Sequence, residues 1–337
     1  LNSSGVGKIT MNFKMSKWFA CAIALSASPA VADVTWDFAS PYPGFSYHGV
    51  NAERFIREVS DATGGAVTIN HHPGASLYAA PEIKRAVQTE QIAIGELLVS
   101  AMENDAAIFG IDSIPFLATD FDSAYLLWLA SRELTEAKLA EQGLTLLYGV
   151  SWPGQGLYTR REINSVSDLR GGKMRIQNPA TAAMAEMFGA QATTVESADL
   201  AQGMETGVID MFITSASTGS DMVAWDYSTH FYDLNAYVPK NVTYINTKLL
   251  QSLPQEQQES IMIAAAAAEA RGWAMMEVEI REKQANLCEG LQCAEVSETL
   301  LSELEEIGSV LTERWLTLAG EEGAEVIARY RALVDAM

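Results

Sequence analysis

Apolar positions along this chain recur with two periods, near two residues and near 3.6 residues, and the switching between them predicts its elements. Val34 to Ala39 reads as a strand, followed by a loop carrying Pro41, Tyr42, Pro43, Gly44, Phe45 and Tyr47. From about His48 to Ala62 the spacing of Phe55, Ile56 and Val59 is helical, and the run stops at Gly64-Gly65, where glycine supplies a left-handed terminus. Ala66 to Asn70 is a second predicted strand, Pro81 to Gln88 a helix and Gln91 to Leu98 a third strand. This β-α-β-α-β order predicts a parallel sheet with helical crossovers. Phe109 to Phe116 is expected to be a loop or short strand, Ser123 to about Gln142 a helix, and Leu144 to Val150 a strand. Ser151-Trp152-Pro153-Gly154-Gln155-Gly156 breaks that strand, and the chain is expected to cross to a second domain there.

The second half repeats the plan. In Lys173 to Gln177, Met174 and Ile176 face one way and Lys173, Arg175 and Gln177 the other, as in a short strand with one apolar side. Asn178 is a good N-cap, Pro179 suits the first helical position, and the helix to Phe188 ends at Gly189. Thr193 to Val195, a helix from Ser197 to Glu205 closed by Gly207, and Val208 to Thr214 complete a second β-α-β-α-β unit. Two units of similar size predict two α/β lobes. Tyr237 to Asn246 is β-rich and is expected to recross between them. Pro254 then opens a long helix to about Leu287, whose apolar portion Ile261 to Ala268 is flanked by Glu256, Glu259, Glu269 and Arg271, so it reads as a buried segment and no membrane span. Ser297 to Leu318 and Glu321 to Ala336 are further helices.

The amino end changes the picture of where the protein works. Residues 1–10 precede Met11 and are set aside as an added leader or upstream in-frame extension. Lys14 and Lys17, an apolar run from Trp18 to Ala27, and Ala30-Val31-Ala32 before Asp33 then form an export signal, with cleavage expected after Ala32. A soluble periplasmic protein follows from that reading. Removing Lys8, Lys14 and Lys17 with the signal leaves 19 basic against 43 acidic residues, a formal charge of −24. Such a field repels a nucleic-acid backbone and anionic lipid, so neither is an expected partner. It suits a saline habitat, and any anionic ligand must be attracted locally. Cys288 and Cys293, close together in an oxidising compartment, are expected to form a disulfide; zinc would need more ligands than this region supplies.

Catalytic signatures are missing: there is no G-x-S-x-G elbow, P-loop, H-E-x-x-H or Gly-rich dinucleotide turn. His71-His72 point apart on a strand and have no third ligand nearby, so neither a metal nor a cofactor is expected. What stands out is the handover from strand to helix at Gln177-Asn178. Strand carboxyl ends face the ligand crevice of α/β sheets, and helix N-termini favour anions. Arg175, with Gln177 on the same face, is suited to grip a carboxylate there; the other reading is a solvated surface charge. Glu96, at the carboxyl end of the third strand, either turns to solvent at the rim or is a polar group in the crevice. His48, beside Tyr47, touches a ligand or caps its helix. Trp152, Phe212 and Tyr237 wall a pocket or pack ordinarily, and Ser215 follows the last strand of the second unit.

Four stretches then carry a family likeness: Phe55-Ile56-Arg57-Glu58-Val59-Ser60-Asp61-Ala62-Thr63-Gly64-Gly65, Ser167-Asp168-Leu169-Arg170-Gly171-Gly172-Lys173-Met174-Arg175, Phe188-Gly189-Ala190, and Met204-Glu205-Thr206-Gly207-Val208-Ile209-Asp210. In this order, after an export signal, the chain resembles the DctP-type extracytoplasmic solute receptors of TRAP transporters from about Val34 to about Leu318. The resemblance implies an α/β, two-lobed periplasmic-binding-protein-like fold with a ligand cleft between the lobes and a long bridging helix. It assigns residues 33–152 and about 240–286 to lobe I, 153–239 to lobe II, and 287–337 to C-terminal helices packing across both. It implies a receptor and no enzyme, one that closes over a small-molecule ligand and delivers it to membrane permease subunits. The arginine matching Arg175 holds a ligand carboxylate by a two-point salt bridge in that family, so a small organic acid is the expected ligand. Two departures shift the specificity away from dicarboxylates and sialic acid. Gly156-Leu157-Tyr158 stands where many members carry another arginine, and Met211-Phe212-Ile213-Thr214-Ser215 stands where they have a small residue, an acid or amide, and an asparagine. Glu96 on the opposing lobe leaves a zwitterion or amine ligand open, or an ion pair with Arg175. An exported enzyme with Glu96 or His48 as general base is the remote alternative.

Overall fold

Proline and serine set the start of the chain's first lobe. Strand β1 (Val34–Ala39) runs into the proline-rich loop, and Ser46 ends that loop by accepting a hydrogen bond from Gly49 N–H, which caps helix α1 (Tyr47–Ala62). Strand β2 (Val67–His72), helix α2 (Ala80–Gln88) and strand β3 (Ile94–Leu98) follow. Both new strands pair in parallel with β1, giving the order β2-β1-β3. Helix α3 (Phe121–Ala140) and strand β4 (Leu144–Ser151) lead to the crossing, which continues at once as strand β5 (Gln155–Thr159). This computed structural model describes residues 1, 5, 33–196 and 199–337. The export signal, its cleavage after Ala32 and the helix start expected at Ser197 lie outside the described residues.

Lobe II repeats the arrangement with strand β6 (Lys173–Ile176), helix α4 (Pro179–Met187), strand β7 (Gln191–Thr194), helix α5 (Leu200–Glu205) and strand β8 (Met211–Ser215). Here too the first strand is central and parallel to both others, in the order β7-β6-β8. Helix α6 (Ala216–Asp221) and strand β9 (His230–Tyr232) follow, and strand β10 (Lys240–Asn246) then returns to lobe I. Helix α7 (Thr247–Gln251), helix α8 (Gln255–Gly290), strand β11 (Gln292–Ala294) and helix α9 (Glu298–Val334) complete the chain.

The crossing strands interlock the two sheets. β10 lies antiparallel between β3 and β4, with Thr243 opposite both Glu96 and Tyr148. β5 lies antiparallel between β8 and β9. The five-stranded sheet is therefore β2-β1-β3-β10-β4 and the six-stranded one β11-β9-β5-β8-β6-β7. Phe38, Phe55, Ile94 and Tyr244 are at the centre of the first core, and Leu157, Met174, Met184 and Ile213 at that of the second.

The two-lobed α/β expectation holds, with two local differences. The segment Phe109 to Phe116 is neither loop nor strand but mostly a 3-10 helix, Ala107–Ser113. Gln155-Gly156, read as part of a break, begins a central strand. All five residues of β5 are buried, so the alternation that marks a half-buried strand is absent. A Cβ at Gly156 would lie 2.3 Å from the Phe231 ring, so the glycine is there for close packing and not for a turn.

Helix α8, 36 residues and about 54 Å long, bridges the lobes. Asn51 Nδ2 donates to Ala268 O (2.9 Å) and Trp273 Nε1 to Gly149 O (3.0 Å) on the lobe I side. Farther along, Ser217 Oγ donates to Glu279 Oε1 (2.7 Å) and Lys283 pairs with Asp221 on the lobe II side. Cys288 and Cys293 are disulfide-bonded where α8 turns into β11. Helix α9 buries Leu300, Leu304 and Leu311 against lobe II and Trp315, Ile327 and Tyr330 against lobe I, and it is broken at Gly320 (φ 60°, ψ −146°), between the two helices expected. Among the described residues no helix is long and apolar enough to cross a membrane.

Candidate functional site between the lobes

At the carboxyl end of β6, the pleat gives way to the start of α4, and both Met174 and Arg175 are buried. Asn178 is the pivot of this turn. Its Oδ1 accepts from Thr181 N–H (2.8 Å), while its Nδ2 reaches into lobe I and donates to Ser100 Oγ (2.8 Å) and Ser113 Oγ (3.3 Å). The lobes are thus latched together beside Arg175.

Arg175 is only 5 % exposed, and no carboxylate among the described residues lies within ion-pair distance of it. Its Nε donates to Val195 O (2.8 Å) and its Nη1 to Gln177 Oε1 (2.6 Å). Burial pulls its pKa down, offset in part by Tyr237, Glu196 and Tyr42. A buried cation without a counter-ion is costly, and an incoming anion is what relieves it. The Nε bond to Val195 occupies that edge of the guanidinium, so its open donors lie at the Nη1 and Nη2 end.

The cavity beside it is walled by both lobes: Pro41, Tyr42, Leu98 and Trp152 from one, Gln155, Gln177 and Thr214 from the other. Its volume is about 110 Å³. A neighbouring hollow shares Pro41, Tyr42, Leu98 and Gln177 with it and is lined by Arg175 and Glu196. Burial pushes the Tyr42 and Tyr237 hydroxyls up, so both stay protonated, and the Tyr237 Oη beside Gln177 has no satisfied hydrogen bond.

Behind Trp152 lies a buried polar cluster. Glu96, 2 % exposed, accepts from Ser40 Oγ (2.6 Å) and Asn241 Nδ2 (2.9 Å), and His48 Nδ1 is 3.3 Å from its Oε1. Burial pushes the Glu96 carboxyl up, but the His48, Ser40 and Asn241 contacts together outweigh it and hold the group below the usual carboxylate range. Trp152 Nε1 donates to Asn241 Oδ1 (2.9 Å), and the His48 ring lies 4.0 Å from the indole. The cluster fixes the tilt of Trp152 against the cavity.

The model of the family DctP, bacterial extracellular solute-binding protein, family 7, matches residues 43–315. The chain belongs to the DctP family. Similar solved structures include two Bordetella pertussis extracytoplasmic solute receptors that bind pyroglutamic acid. DctP6 is 40 % identical, with 89 % of this chain and 100 % of that one covered and a TM-score of 0.87; DctP7 is 37 % identical, with 88 % and 99 % covered and a TM-score of 0.87. A TRAP solute binding protein from a marine metagenome, specific for pyroglutamate, is 35 % identical, with 89 % and 99 % covered and a TM-score of 0.84.

In this DctP protein the expected site residues fall into two groups. Arg175, Gln177 and Trp152 line the cavities, and Tyr237 stands beside Gln177. The others do not reach the opening. Glu96 is neither at the rim nor paired with Arg175; both its oxygens are held inside lobe I. His48 and Tyr47 back Trp152, the Tyr47 hydroxyl donating to Ser151 O. Phe212 stacks on Tyr158 in the lobe II core, with ring centres 4.5 Å apart. Ser215 is an N-cap, accepting from Thr218 N–H. Position at a strand's carboxyl end was legible for Glu96 and Ser215, but not the face on which each side chain lies. The same rule applied to β1 and β8 points to Tyr42 and Thr214, which were missed. Gln155 was missed because its strand was read as a break. His71 and His72 pair separately with Glu53 (2.9 Å) and Asp37 (2.8 Å), and no group of three or more metal-ligating side chains occurs among the described residues.

Proposed function

We propose that this DctP-family receptor binds pyroglutamate, the five-membered lactam of glutamate, and delivers it to the membrane permease subunits of a TRAP transporter. The observation that carries this is Arg175, a buried cation that lines an inter-lobe hollow with no carboxylate among the described residues within ion-pair distance. One such cation calls for one carboxylate, and the apolar wall of Pro41, Tyr42, Leu98 and Trp152 suits a compact ring better than a second acid group. Receptors 35–40 % identical to this chain bind that molecule. An amine ligand loses support because the anion it would need, Glu96, is occupied by Ser40 and Asn241.

In this reading the working protein begins at Asp33 in the periplasm. Lobe I comprises 33–152 with about 240–286, lobe II 153–239, and 287–337 ties them together. Closure over the ligand excludes water and strengthens the ion pair. Isothermal titration with L-pyroglutamate is expected to show one site per chain. Arg175→Ala is expected to weaken it by about 2–5 kcal/mol, roughly thirty- to several-thousand-fold, because truncation leaves a desolvated carboxylate unpaired. Wild-type affinity in that variant would end the assignment.

A further inference from the structure

Two glutamines in the cavity are turned in opposite senses by their own hydrogen bonds. Gln155, on β5, donates from Nε2 to Pro153 O at 2.8 Å, and only the amide nitrogen can make that bond. Its Oε1 is therefore the end left over. Gln177 accepts at Oε1 from Arg175 Nη1 at 2.6 Å; a guanidinium only donates, so here the Nε2 end is left over. Gln155 Oε1 has no hydrogen-bond partner among the described residues, Gln177 Nε2 has only the Tyr237 hydroxyl near it, and both side chains line the same cavity. Gln155 is itself buried, and its backbone is tied to Ala236 and Tyr237 (2.9 and 3.0 Å). On the lobe I wall Trp152 Nε1 is occupied by Asn241 and Ser46 Oγ by Pro43 O.

Arg175 and the two glutamines thus offer one carboxylate anchor, one amide acceptor and one amide donor. A lactam acid presents the complement: a carboxylate, a ring N–H that donates and a ring carbonyl that accepts. Resting on the pyroglutamate reading, we infer that Gln155 is the specificity-determining residue of the cleft, its Oε1 accepting the ligand's ring N–H while Gln177 Nε2 donates to the ring carbonyl. The site selects cyclic amide acids against lactone acids. A ring oxygen in place of the N–H leaves Gln155 Oε1 facing a second acceptor, so the contact is lost and becomes repulsive.

The test is a titration of two ligands into two proteins: L-pyroglutamate and its lactone counterpart, 5-oxotetrahydrofuran-2-carboxylate, into wild type and Gln155→Met. Wild type is expected to prefer the lactam by about tenfold or more, the scale of one buried hydrogen bond. In Gln155→Met, of similar length but without the acceptor, the ratio is expected to fall towards one. A merely structural role for Gln155 weakens both ligands together and keeps the ratio, which overturns the inference. Should the variant fail to fold, wild type alone decides: equal affinity for the lactam and for N-methyl-pyroglutamate or the lactone overturns it, and a tenfold loss for each supports it. Absence of any pyroglutamate binding by wild type falls on the proposed ligand and takes this inference with it. Binding with an unchanged ratio falls on the inference alone.

Discussion

Arg175 carries an energetic signature that separates a binding residue from a scaffold residue. Burial lowers its folded-state pKa below the unfolded one, so the charged form is disfavoured by folding at every pH where arginine is protonated. Arg175→Met is therefore expected to melt about 2–4 °C above wild type without ligand, for about 1 kcal/mol regained, while showing no ligand-induced shift in a thermal melt. A lower melting temperature would place Arg175 in the scaffold. Glu103 gives a second residue-scale expectation. Burial first, and the charge of Asp112 second, push its carboxyl up to about 7, and its Oε2 has no hydrogen-bond partner among the described residues. With the folded pKa above the unfolded one, its contribution to stability is full below about pH 4.3 and is lost as pH rises towards 7. Urea midpoints should then show Glu103→Gln gaining on wild type between pH 5 and pH 8. A constant difference across that range would contradict the assignment.

Among the elements, legibility followed punctuation. Asn178, Pro179 and Gly189 mark α4 as caps do, and β8, though buried along its whole length, was readable as an apolar run after Gly207. Strand β5 is equally buried but begins right after Pro153-Gly154 and holds Gly156, so it read as a break. The cavity wall suffered the same way, since alternation distinguishes wet from dry but not cleft from core: Phe212 and Thr214 share a face of β8, yet only Thr214 reaches the opening. The break in α9 was legible in Gly320, whose φ and ψ only glycine adopts easily. Gly320→Ala is expected to cost about 1–3 kcal/mol, measured as a drop in the urea midpoint. An unchanged midpoint would mean that α9 straightens without loss.

For the whole molecule, closure depends on a few bonds that span the lobes. Ser100 and Ser113 of lobe I meet Asn178 of lobe II, whose capping bond to Thr181 lies within its own lobe. Ser100→Ala removes the shorter spanning bond and leaves the cap intact, so it is expected to weaken ligand binding about two- to tenfold while hardly moving the melting temperature of the free protein. Full affinity in that variant would show that the latch adds nothing to closure. The interlocked sheets have a consequence of another kind, in the order in which the chain is made. β4 hydrogen-bonds only to β10, so the first 151 residues include four of the five strands of lobe I and lack the one that joins them. Lobe II waits longer still, for β11 at residues 292–294. A chain threaded from its amino end must therefore emerge to residue 246 of 337 before either sheet is complete. Until then neither sheet can be completed, and neither lobe can be cut out as a continuous segment and expected to fold alone.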